Sequence, residues 1–84
     1  MAFIGTLAFS AFALSSSDDG RDWGRSSVKE KNSFAADVVR RLGASYSAAE
    51  MRACLDAFYA PPTSKMLQEQ KLSDIAAGCH VQMR

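Results

Sequence analysis

The chain has 84 residues, 48% of them hydrophobic and 23% charged, which excludes wholesale disorder and leaves room for one domain. A chain this short buries a smaller share of its surface than a typical domain, so its stability calls for a disulfide, a membrane or a partner subunit. Ten bases against nine acids give a net charge of +1, and the two signs interleave from Asp18 to Arg84, which argues against nucleic acid because polyanion-binding surfaces concentrate Lys and Arg.

The charge is uneven in one respect: Met1 to Ser17 contains no charged side chain. On a helical wheel Phe3, Ile4, Leu7, Ala11 and Leu14 share a face, but Phe9 and Phe12 project away from it, so the segment has no wet side as a helix. As a strand it has none either. Three readings follow. The segment is a secretory signal ending in the small-x-small pattern Ala11-Phe12-Ala13, although a basic start is missing. Or it contacts a membrane, being short of the roughly 20 apolar residues of a full span. Or it is a helix or strand buried in this domain or in a complex. On the last two readings Phe3, Ile4, Leu7, Phe9 and Phe12 are the candidate partner-binding residues.

Asp18 to Lys31 reads DDGRDWGRSSVKEK, where glycine, serine and balanced charge interrupt every apolar pattern, and it is expected to be a loop or linker. Trp23 stands in it without local apolar neighbours. Its ring either folds back over the chain's own core or anchors a partner, a role in which Trp is over-represented.

From Ser33 the helical signals strengthen. Asn32 or Ser33 can cap a helix over Phe34 to Leu42, with Gly43 supplying a left-handed C-terminal residue. Phe34, Val38 and Leu42 fall on one face, and Asp37 is placed to pair with Arg40 or Arg41. The next helix has a capping box, Ser47-Ala48-Ala49-Glu50, with Tyr46 placed to staple onto Met51. Its stripe is Met51, Cys54, Leu55, Phe58 and Tyr59, and Pro61-Pro62 ends it. Beyond the prolines, Leu72, Ile75, Ala76, Cys79 and Met83 share a face while Met66 and Leu67 point elsewhere. This predicts one short helix from about Ser64 to Gln70 and another from Asp74 towards the C-terminus, capped by Ser73.

Cys54 and Cys79 are the only cysteines. If their helices run antiparallel, each lies six residues from the Pro61-Pro62 reversal side of its helix, counted from Ala60 and from Ser73, and the thiols come level. A disulfide there would stabilise by roughly 3 to 4 kcal/mol on the chain-entropy model; in a reducing compartment the same residues are small core hydrophobes. His80 follows Cys79, but two Cys and one His fall short of a zinc set, and helical neighbours point about 100° apart. No metal or cofactor is expected, and His80 is expected at the surface. A calcium-loop register from Asp19 fails because Arg21 and Trp23 fall where oxygen ligands are required. No phosphate loop, nucleophile elbow or HExxH helix occurs, so no catalytic residue is assigned and the chain is expected not to be an enzyme.

The run Val38-Val39-Arg40-Arg41-Leu42-Gly43-Ala44-Ser45 resembles the first helix and glycine turn of the bacterial repressor helix-turn-helix, over about Ala35 to Leu55. The resemblance implies a DNA-binding regulator with the following helix in the major groove. Arg52 departs from it, standing where that family keeps a buried aliphatic residue, and Glu50 lies on the would-be recognition helix.

Together these features predict an all-α fold, a small three- to four-helix domain with an apolar N-terminal helical segment. The expected division is an apolar segment over 1–17, a polar linker over 18–32 and a helical domain over 33–84. The expected function is a non-catalytic accessory or interaction subunit of a larger, membrane-associated assembly, with other protein subunits as partners and membrane contact through 1–17. A small exported disulfide-bonded binding protein and the DNA-binding regulator are the alternatives. The corresponding locations are membrane-associated or exported, with the cytoplasm as alternative.

Overall fold

The computed structural model describes residues 14–61 and 65–84. Within them the chain is all-α, as expected, with five helices and no strands. These are α1 (Gly20–Arg25), α2 (Val28–Leu42), α3 (Ala48–Tyr59), α4 (Lys65–Gln68) and α5 (Leu72–Met83).

The first three helices start on the same reciprocal device. Asp19 accepts from the Arg21 and Asp22 amides while the Asp22 carboxylate takes the Asp19 amide; Ser27 pairs in this way with Glu30, and Ser47 with Glu50. Each box satisfies two amides that a helix start would otherwise leave without partners. Only the third was expected. The stretch read as a loop over Asp18 to Lys31 is therefore a correction: it holds all of α1 and the first turn of α2. The helix expected from Phe34 begins at Val28, capped by Ser27 and not by Asn32 or Ser33. Ser27-Val28-Lys29-Glu30 is itself a capping box, and its polar first turn conceals the helix from a search for apolar periodicity.

Gly43 closes α2 as expected, at φ 62° and ψ 33°. Its amide donates to the Arg40 carbonyl and the Ala44 amide to the Val39 carbonyl, both at 3.2 Å, the pair of bonds that defines a Schellman motif. Asp37 pairs with both Arg40 and Arg41 on the wet face of α2.

The start of α5 departs from expectation. Ser73 does not cap it; the cap position is Lys71, which makes no side-chain bond. Backbone from the far end of the domain takes the free amides instead. Leu72 N–H donates to the Asp18 carbonyl at 2.7 Å and Ser73 N–H to the Ser16 carbonyl at 3.1 Å, beside an antiparallel bridge between Asp19 and Lys71. Thus residues 16–19 do the work of a cap, which no local motif announces.

The core lies between α2, α3 and α5, with α3 packed on both of the others. Its buried members are Trp23, Phe34, Ala35, Met51, Leu55, Tyr59, Leu72, Ala76 and Cys79. Leu14, Val38, Cys54, Phe58, Ile75 and Met83 pack half-buried around it. The stripes read on α3 and α5 are the faces that point inward. Leu42 is the exception: as the last residue of α2 it remains 44% exposed.

Candidate binding cleft and disulfide

Two depressions flank α3. The larger, about 480 Å³, opens between α1, α3 and α4 and is lined by Trp23, Lys31, Asp56, Tyr59, Pro61 and Gln68, with Gly20 and Gly24. Its walls follow from the helix pattern. Trp23 and Tyr59 are buried members of the core that also line the cleft, whereas Asp56 and Lys31 are half-buried polar side chains that line the same opening.

The polar groups of the cleft are held. The Trp23 indole N–H donates to Asp56 Oδ1 at 2.9 Å, and the other carboxylate oxygen lies 3.2 Å from Arg52 Nε. Lys31 Nζ stands 5.6 Å from the Trp23 ring centroid, within the range of a cation–π contact. Tyr59 donates its hydroxyl to the Gln70 carbonyl at 2.8 Å, and Gln68 Nε2 donates to the Tyr59 carbonyl at 3.0 Å. Burial, with added repulsion from Asp19 and Asp74, pushes the Tyr59 hydroxyl up to about 12. It therefore keeps its proton at neutral pH and serves as a donor, not as a base. The cleft is lined by two aromatic side chains, one ammonium and one carboxylate.

Gly20 fits α1 against this wall. A Cβ there would stand 2.4 Å from Tyr59 Cδ1 and 2.8 Å from Gln68 Oε1, so a hydrogen is all the position holds.

The smaller depression, about 370 Å³, runs along α3 and α5 beside the disulfide, lined by Cys54, Ala57, Phe58, Ile75, Gly78 and Cys79, with Asp74 and Gln82. Cys54 and Cys79 are bonded, at an S–S distance of 2.07 Å and a Cα–Cα distance of 6.1 Å. The hairpin reading brought them level, and they are level. Neither thiol is left to pair with His80, whose Nδ1 lies 2.6 Å from the Tyr46 hydroxyl. That bond holds His80 half-buried against the α2–α3 connection, where the sequence reading placed it at the surface. Among the described residues no cluster of three or more His, Cys, Asp or Glu side chains could hold a metal ion. Among them, too, no helix is long and apolar enough to cross a membrane.

Trp23 is 2% exposed and edge-on to Phe34 at 6.2 Å, so its ring folds back over its own domain's core, the first of the two roles open to it. Phe3, Ile4, Leu7, Phe9 and Phe12 lie outside the described residues. The exposed residues of α3 are Ala49, Glu50, Ala53 and Ala57, and Arg52 on the same helix is partly exposed. Sequence reasoning missed Lys31, Asp56 and Gln68, whose only signal was polarity at helical spacing; the cleft exists because three helices bring them together.

Comparison with known protein families, with curated proteins and with solved structures finds no match.

Proposed function

We propose that the chain is a small exported binding protein, a disulfide-stapled helical domain that holds a ligand and performs no chemistry. The Cys54–Cys79 bond is the observation that carries this reading. Structural disulfides persist in oxidising compartments, and small domains with limited cores depend on them. The core here is small, and the bond joins α3 to α5 at its edge. The cleft of Trp23, Lys31, Asp56, Tyr59 and Gln68 is the binding site of this reading. Its polar groups converge, and Asp56, Lys31 and Gln68 are each held by a neighbour within the fold. The accessory-subunit reading draws on Met1 to Ser17 and on Met66, Val28 and Val81, which are 71%, 57% and 60% exposed; these stand on separate helices, and single exposed hydrophobes are ordinary on a monomer.

Fractionation of the cells that make the protein, followed with a C-terminal tag, tests the reading. Recovery outside the reducing cytosol is expected. Recovery wholly within the cytosol overturns it.

A further inference from the structure

The groove beside the disulfide is built differently from the Trp23 cleft. Cys54 and Cys79 line it together with Phe58 and Ile75, both half-buried. Ala57 on α3 and Gly78 on α5 are exposed and bring little bulk to it, and a Cβ on Gly78 would meet no atom within 4 Å. The seam between the helices stays open where these two small residues stand. Its polar groups sit at the ends: Asp74 in the first turn of α5 and Gln82 in the last, about 12 Å apart along the helix axis. Asp74 is exposed, and among the described residues no ion pair takes its carboxylate.

We propose that this groove binds a small linear amphiphile with a cationic head, a primary amine on an aliphatic chain. The ammonium pairs with Asp74, and the chain runs along Phe58, Ile75 and the disulfide towards Gln82. The groove holds about 370 Å³, room for a single chain and not for a partner helix about 10 Å across. Removing the chain from water supplies most of the affinity. The carboxylate sets the sign of the head, because it attracts an ammonium and repels a second carboxylate. This site is separate from the Trp23 cleft and does not depend on it. An occupant also covers Cys54, the half-buried end of the disulfide, and so shields the bond from thiolate attack, which needs access to a sulfur.

The test is titration of the full, oxidised 84-residue chain with octylamine, with octanol and octanoate as head-group controls, followed by backbone amide chemical shifts. Saturable shifts centred on Ala57, Phe58, Asp74 and Gly78 are expected with octylamine, weaker ones with octanol and none with octanoate. Asp74→Asn should weaken octylamine about two- to fivefold, the range of an exposed ion pair. Gly78→Leu places a side chain in the open space and should abolish binding while keeping the parent's helical circular dichroism; Ala57→Leu should do the same from the opposite wall. Saturating octylamine should slow reduction of the disulfide by an uncharged thiol. Octanoate binding as tightly as octylamine, or unaltered affinity in Asp74→Asn, overturns the ligand class. Shifts centred on Trp23 and Lys31, full binding to folded Gly78→Leu or Ala57→Leu, or no saturable shift with octylamine overturns the site.

Discussion

The Trp23 indole donates to Asp56 across 33 positions of sequence, tying α1, which holds no other large buried side chain, to the central helix. The bond satisfies the one polar atom of the largest ring in the core, and Asp56 in turn is steadied by Arg52. Trp23→Ala should cost about 3–5 kcal/mol, the usual loss for a truncated buried aromatic. Asp56→Ala, which leaves a buried N–H without its acceptor, should cost about 1–3 kcal/mol. Denaturant midpoints of the two variants, with the slope checked for constancy, measure both. Equal, negligible losses would mean α1 is not docked as described.

Gly20 and Gly78 give opposite expectations for the same substitution. Gly20→Ala drives a methyl into the Tyr59 ring and should destabilise by about 1–3 kcal/mol, the range for overpacking. Gly78→Ala lies inside α5 with nothing within 4 Å of the new atom, so it should stabilise by about 0.5–1 kcal/mol through helix propensity alone. Thermal melts of the pair separate the two effects in one experiment.

The cap residues show how far the sequence reaches. Ser47, Gly43 and the stripes of α3 and α5 were legible because each is a local pattern: a box, a left-handed position, apolar residues at helical spacing. The closeness of Cys54 and Cys79 was legible because two such stripes and a proline reversal turn both towards a single core; the bond itself depends on the redox state of the compartment, which no local pattern encodes. Ser27-Glu30 and Asp19-Asp22 are equally local but open polar helices, so they were hidden in what reads as a loop. The α5 start and the cleft had no local signature; they depend on Ser16, Asp18 and Lys31 meeting residues dozens of positions away.

Those caps are testable as a pair. Ser27→Ala and Ser47→Ala should each cost about 1 kcal/mol, because both serve helices that face the core. A midpoint shift for Ser47→Ala alone would place the start of α2 nearer Phe34.

The alkaline limb of the stability curve should belong to the two tyrosines, Tyr59 foremost. Its hydroxyl titrates at about 12 in the fold, against about 10 in the unfolded chain, so the contribution is complete below the lower value and is lost as pH rises through the upper one. Burial raises the Tyr46 hydroxyl as well, so Tyr59→Phe should leave one delayed tyrosinate transition where the parent shows two. It should also cost about 1 kcal/mol at neutral pH for the lost bond to the Gln70 carbonyl. Ultraviolet titration of parent and variant reads the first effect, and denaturant unfolding at neutral pH the second.

Closing 25 positions of chain, the disulfide should contribute about 3.5 kcal/mol on the chain-entropy model, a large share of what a small domain has. The Cys54→Ala, Cys79→Ala double variant should therefore unfold at a much lower denaturant concentration than the parent, and reductant should lower the parent's midpoint towards that of the variant.

The most direct test of the account is the thiol state of the protein as its own cells make it. Denaturation in an alkylating reagent without reductant, followed by intact mass, should find neither cysteine modified and a mass two hydrogens below that of the reduced chain. Two alkyl groups on the unreduced protein would contradict the account, moving the domain to a reducing compartment with Cys54 and Cys79 as core thiols.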